Sequence, residues 1–396
     1  MLPAAVFVKP MTIISDLSYR LLASRFIRRQ VRQLAEQLDG IRQGEDSECI
    51  HRARVASRRL RAAMRMFREC WGRKKANRWR REICRITQGL GEARDMDVQI
   101  EFLCGTLGTT TENACVPGIA QLLAQAENQR ERLQPRVVKA VDGLEASDAL
   151  GEMQAATKKV LASPEAEGVA TSDFAFDQTK QFILRQLEEM LRVQSSLDDP
   201  SDYRHHHAVR IAAKRLRYTL EISKPVYGAQ LDEFVEATKR VQSLLGDVHD
   251  CDVWLRHIEG FAQRERERLE KRFGAAGRFE RLKPGIDALL RDRGSRRGEV
   301  FQESVDYWRG LKRDGVWDRL VRLVEGRGRP ASVPEPAGPS AEPVADVAGP
   351  AEKTPAVAPT ASPDQPARRA KSNGSSPGHP VARAAGRPVL ASDAGP

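Results

Sequence analysis

His51-Arg52-Ala53-Arg54-Val55-Ala56-Ser57-Arg58-Arg59-Leu60-Arg61 and, 156 residues later, His207-Ala208-Val209-Arg210-Ile211-Ala212-Ala213-Lys214-Arg215-Leu216-Arg217 share one pattern, H-x-x-R-V/I-A-x-R/K-R-L-R. At about 100° per residue, His51, Arg54, Arg58, Arg61 and Arg65 fall within one stripe about 100° wide. Ala53, Ala56, Leu60, Ala63, Met64 and Phe67 lie on the opposite side. His207, Arg210, Lys214 and Arg217 repeat the stripe, with Val209, Ala212, Leu216 and Leu220 behind and Tyr218 inside it. Each block is therefore expected to be a helix with an apolar back and a cationic front.

A second pair of matched blocks follows. Leu90-Gly91-Glu92-Ala93-Arg94-Asp95-Met96-Asp97-Val98 matches Leu245-Gly246-Asp247-Val248-His249-Asp250-Cys251-Asp252-Val253 at an offset of 155, and Arg85 falls on Arg240. Two blocks in the same order at nearly one offset indicate a duplicated unit. Two helical-bundle halves of about four helices each are expected, with pseudo-two-fold symmetry.

Outward from these blocks, residues 14–325 read as helix after helix, apolar at i, i+3 and i+4 with almost no alternating stretches. A first helix is expected over Ser15–Asp39, ended by Gly40 and Gly44; Gly72 ends a second, Gly91 interrupts a third, and Pro225 ends its counterpart in the second half. Asp199-Pro200-Ser201-Asp202 has the form of a helix start, with Asp199 as N-cap. A break over residues 162–173 divides the halves, 14–162 and 173–325. Residues 328–396 are rich in Ala and Pro, and 14 of the chain's 22 prolines lie at or beyond Pro330. That composition predicts a disordered tail, suited to tethering or to solubility.

Composition agrees with an all-α class. Aromatics are only 6% of the 396 residues, so the core must come from Leu, Val, Ile and Ala. The net charge of +11 points to a polyanionic partner. From Arg329 onward seven bases face six acids, which leaves the surplus on the helical part. Six cysteines without C-x-x-C spacing suggest free thiols in a reducing cytoplasm rather than a metal knuckle or disulfide framework. No run approaches the ~20 apolar residues of a membrane span, and no secretory signal is read at the N-terminus.

From His51 to Arg65 the cationic stripe would run about 21 Å. A row of like charges at i, i+4 is destabilising and calls for buried carboxylates or an anion. Arginine suits phosphate because its planar fork donates two parallel hydrogen bonds, and a phosphate would favour the charged form of histidine. Asp95, Asp97, Asp250 and Asp252 follow a glycine and are expected to begin the next helix as N-caps. The alternative is that one aspartate per half orients the stripe; metal binding by D-x-D would have too few close carboxylates.

The two repeated patterns resemble the CHAD domain, the conserved histidine α-helical domain, over residues 14–325. The resemblance implies two bundles around a basic central groove and binding of inorganic polyphosphate, in a stand-alone protein associated with cytoplasmic polyphosphate granules and the enzymes that metabolise the polymer. Carried over, the anion-lining residues are His51, Arg54, Arg58, Arg61, His207, Arg210, Lys214 and Arg217, with Arg85 and Arg240 on the following helices. Arg65 extends the stripe on the helical wheel alone, since its counterpart is Glu221. His249 stands where the first half has Arg94. CHAD domains often accompany a triphosphate tunnel metalloenzyme domain with an E-x-E-x-K strand. The nearest string here, Glu265-Arg266-Glu267-Arg268-Leu269, has Leu in the Lys position and sits in a helical stretch. A binding protein with no catalytic residue, metal or cofactor is therefore expected.

Two other readings compete. Nucleic acid would also bind a basic helix, as a weaker competitor, but single-strand binders interleave stacking aromatics, and the stripes hold only Tyr218. A metal-dependent phosphohydrolase or di-iron bundle would build on Glu48-Cys49-Ile50-His51 or His249-Asp250. The di-iron motif is needed twice, and the second half has Arg204 in place of the glutamate.

Overall fold

A computed structural model describes residues 15–326, apart from 45, 195, 196, 198 and 275. The proline-rich tail expected over 328–396 lies outside the described residues. Among the described residues there is no strand, and the structure is all-α. The helices are α1 (Leu17–Ala35), α2 (Leu38–Gln43), α3 (Ser47–Met66), α4 (Arg73–Gly89), α5 (Gly91–Thr109), α6 (Val116–Ala146) and α7 (Ala149–Leu161). After the break come α8 (Asp173–Arg192), α9 (Tyr203–Tyr227), α10 (Asp232–Phe273), α11 (Lys283–Arg313) and α12 (Val316–Glu325). Among the described residues seven α-helices precede the break and five follow it.

The starts of α1, α3, α8 and α9 follow from capping chemistry. Asp16 accepts a hydrogen bond from the Tyr19 backbone N–H (2.8 Å), Asp46 from that of Glu48 (2.8 Å) and Ser172 from that of Ala175 (3.1 Å). Asp202, rather than Asp199, caps α9. Asp199 instead closes the preceding turn on the Ser201 backbone N–H (2.8 Å). Gly40 lies inside α2, and Gly44 in the left-handed region (φ 74°) ends that helix. Pro225 is the third residue from the end of α9, not its terminus.

The apolar backs of the two histidine helices are buried as the wheel requires: Ala53, Ala56, Leu60, Ala63, Met64 and Phe67 on α3, and Val209, Ala212, Leu216 and Leu220 on α9. They join one large core that α1, α4, α8, α10 and others also supply. Across the break at residues 162–172, α3 packs on α9, α6 on α11 and α1 on α8. A second core, built around Leu103, Ile119, Leu122, Trp254, Phe261 and Ile286, joins the outer parts of α5, α6, α10 and α11.

At that end α6 and α11 cross at two glycines. A Cβ on Gly118 would collide with the Leu282 carbonyl oxygen and stand 3.1 Å from Gly285 Cα. A Cβ on Gly285 would collide with the Cys115 carbonyl oxygen and stand 3.0 Å from the Ile119 nitrogen. The contact is reciprocal, and both glycines lie in a Pro-Gly-Ile triplet, 117–119 and 284–286.

The four aspartates do not cap helices. Leu90 keeps a near-helical backbone, and Leu90 and Arg94 continue the hydrogen-bond ladder across the α4–α5 junction. α10 runs through Leu245-Gly246 without a break. No new N-terminus arises there, so no cap is needed.

Candidate anion-binding site

The α3–α9 contact brings the two cationic stripes together. Arg58 Nε donates to Tyr218 Oη across it (3.4 Å). Lys214 on α9 has Arg210 and Arg215 of its own helix and Arg58 and Arg61 of α3 as electrostatic neighbours. Burial and these four guanidiniums push its ammonium down to about 8.

Two glutamates pair with cations at the margins of this region. Glu221 pairs with both Arg59 (3.4 Å) and Arg217 (3.6 Å), and Glu189 with Arg215 (3.3 Å). The pairs made by Glu221 and Glu189 do not include Arg58, Arg61 or Lys214. Arg65, next to Arg61, Arg80, Arg215 and Glu189, extends the cluster toward α4 and α8. Arg217 belongs to the cluster but is partly neutralised by Glu221, and its guanidinium lies 5.0 Å from the Tyr218 ring centre.

Histidine and arginine are arranged alike in both blocks, against the helix that follows. In the first, Arg54 Nη1 donates to the Thr87 carbonyl (3.3 Å), and a Cβ on Gly91 would stand 3.2 Å from it. In the second, a Cβ on Gly246 would stand 3.5 Å from Arg210 Nε. The glycine of each L-G pair thus leaves room for the arginine of H-x-x-R. Burial and the neighbouring Arg94 hold His51 below its ordinary value. Burial, Arg210 and Lys214 do the same for His207. The ring of His249 of α10 packs tilted against that of His207, with ring centres 4.5 Å apart and planes 41° to each other, and is pushed down to about 4 by burial and then by Arg210. His207 Nδ1 and Arg210 Nε are buried and have no hydrogen-bond partner among the described residues.

His249 and Arg94 therefore belong to the site, although only the R/H position of the L-G-x-x-R/H-D pattern hints at it. Arg85 and Arg240 are engaged elsewhere. Arg85 pairs with Glu82 on its own helix (2.6 Å), and Arg240 pairs with Glu303 of α11.

The aspartates divide the work between them. Asp95 faces Arg54, while burial raises its carboxyl above the ordinary value. Asp97 pairs with Arg130 of α6 (2.6 Å; side chains 8% and 13% exposed), and Asp252 with Arg297 of α11 (2.6 Å; 6% and 13%). The second aspartate of each motif thus fastens the motif helix to the next one. Among the described residues no group of three or more His, Cys, Asp or Glu side chains is placed to hold a metal ion, and no helix is long and apolar enough to cross a membrane.

Comparison with known proteins agrees with this architecture. The crystal structure of the CHAD domain from the plant Ricinus communis is similar to it, with a TM-score of 0.52 at 20% identity, covering 74% of this chain and 92% of that one. At that identity the likeness speaks for the fold alone. No curated protein matches the chain. The family model of the CHAD domain matches residues 25–259, a span that holds both histidine blocks and both L-G motifs and ends within α10, before α11 and α12. With more than half of its length matched, the chain belongs to the CHAD domain family.

Proposed function

We propose that this protein binds inorganic polyphosphate where α3 meets α9, and that it does so without catalysis. The observation that carries the reading is the convergence of Arg58, Arg61, Arg210 and Lys214, with the carboxylates that pair in this region at its margin. Desolvated like charges raise the energy of the folded protein, and a polymer of closely spaced phosphates offsets them all at once through charge-assisted hydrogen bonds. The family's link to polyphosphate binding supports the choice of anion. Tyr218, the one aromatic of the stripes, is only 4% exposed and already bound to Arg58, so it offers no platform for a stacked base. That favours polyphosphate over nucleic acid.

In the cell the protein would reside on cytoplasmic polyphosphate granules, alongside enzymes that make or consume the polymer. A fluorescent fusion that stays diffuse in granule-containing cells would remove that part. The binding test is competition between long-chain polyphosphate and single-stranded DNA for the full chain at equal phosphate and rising salt. Polyphosphate is expected to win and to stay bound at physiological salt. Replacing Arg58 and Lys214 together by Glu is expected to weaken polyphosphate binding at least tenfold; unchanged affinity would refute the assignment.

A further inference from the structure

We propose that His249 of α10 completes the polyphosphate site as a contacting imidazole pair with His207, and that this pair and Lys214 take up protons when the anion binds, so that affinity rises on acidification. The inference rests on the polyphosphate reading above and adds to it a residue and a proton count.

The geometry is a cluster of titratable groups brought together by three helices. His207 faces Arg210 and Lys214 on α9 and the ring of His249 on α10. His249 faces Arg210, His207 and Lys214 on α9 and Arg256 on its own helix. Lys214 faces Arg58 and Arg61 from α3. Asp247 and Asp250, the acids nearest His249 in sequence, are engaged in interactions of their own. Arg297 of α11 is held by Asp252.

Without the anion, burial first and the surrounding positive charge second make each of the three titratable groups lose its proton early. A phosphate chain laid over the cluster reverses the sign of the local potential. It favours imidazolium over imidazole and ammonium over amine. The buried His207 Nδ1 has no hydrogen-bond partner among the described residues, so placing a proton there breaks no existing hydrogen bond.

Linkage then fixes the pH dependence: each whole proton taken up changes affinity about tenfold per pH unit. Two windows follow. Lys214 titrates near pH 8 in the free protein, so affinity falls as pH rises from 7.5 to 9. The imidazoles are neutral in the free protein near neutrality, with His249 at about 4, so affinity rises as pH falls from 6.5 toward 5.

The test is calorimetry of long-chain polyphosphate binding to the full chain, in pairs of buffers with different ionisation enthalpies, at pH 5.5, 7 and 8.5. Net proton uptake is expected at pH 5.5 and 8.5, and smaller uptake at pH 7. His249→Gln is expected to lower the uptake at pH 5.5 and flatten the affinity slope there, while the pH 8.5 uptake stays with Lys214. Binding with no buffer dependence, or a His249→Gln profile that superimposes on the parent's, overturns this proposal and leaves the polyphosphate reading intact. No binding at any pH overturns that reading and this proposal together. The wild-type proton count needs no variant, so misfolding of the substituted protein cannot mask the answer.

Discussion

Asp97–Arg130 and Asp252–Arg297 show how one residue type in one motif can do different work at adjacent positions. In the first motif the first aspartate of the D-x-D faces Arg54. The second is turned inward to an arginine on the next helix. Removing one member of a nearly buried ion pair leaves the other charge uncompensated, at a cost of about 3–5 kcal/mol. Asp252→Ala is therefore expected to lower the unfolding free energy by that order in a urea titration. The double replacement of Asp252 and Arg297 by Leu and Met should be clearly less harmful, because no orphan charge remains. If single and double variants unfold alike, the pair does not carry this role.

At the scale of helices, two kinds of glycine follow different physics. Gly118 and Gly285 sit where α6 and α11 cross backbone to backbone, and Gly118→Ala has no room without moving a helix. Overpacking of this kind costs about 1–3 kcal/mol or more. Gly143, near the other end of α6, has open space where an alanine methyl would stand, with no atom within 4 Å, and an ordinary helical backbone. Gly143→Ala should stabilise by roughly 0.5–1 kcal/mol, since alanine loses less entropy on helix formation. Thermal melts of the two variants should shift in opposite directions. The Pro-Gly-Ile triplets at 117–119 and 284–286 are a third repeat in the sequence, but their meaning requires seeing two helix starts laid against each other.

At the scale of the whole molecule the cationic cluster makes stability depend on pH. His249 titrates at about 4 in the folded protein against an ordinary 6.5, and burial also lowers His51 and His207. Between those values the unfolded chain binds more protons than the folded one, so stability falls as pH falls through the window from 6.5 to 4. The melting temperature of the ligand-free protein should therefore drop between pH 7 and 5. Polyphosphate should reduce the drop, because binding to the folded state alone stabilises it and carries the protons in. A melting temperature flat over that range would contradict the charged-cluster account.

Much is legible without coordinates. The 3.6-residue periodicity of the two H-x-x-R blocks establishes helices with apolar backs, because burial on a helix is a one-dimensional pattern, and every back residue it names is buried. The L-G-x-x-R/H-D-x-D-V blocks emerge by matching alone, but the capping role that their spacing suggests is wrong. A glycine before an acid looks like a helix start whether or not the hydrogen-bond ladder continues through it. Which cations meet is a matter of packing between helices far apart in sequence. Only the tertiary structure places Lys214 among Arg58 and Arg61, sets His249 against His207, gives Glu221 to Arg59 and Arg217, and turns Arg85 and Arg240 toward carboxylates. The sequence determined the helices and the sign of their faces, which depend on local spacing. The fold decided which charges are left uncompensated, because that depends on what long-range packing brings within a few ångströms.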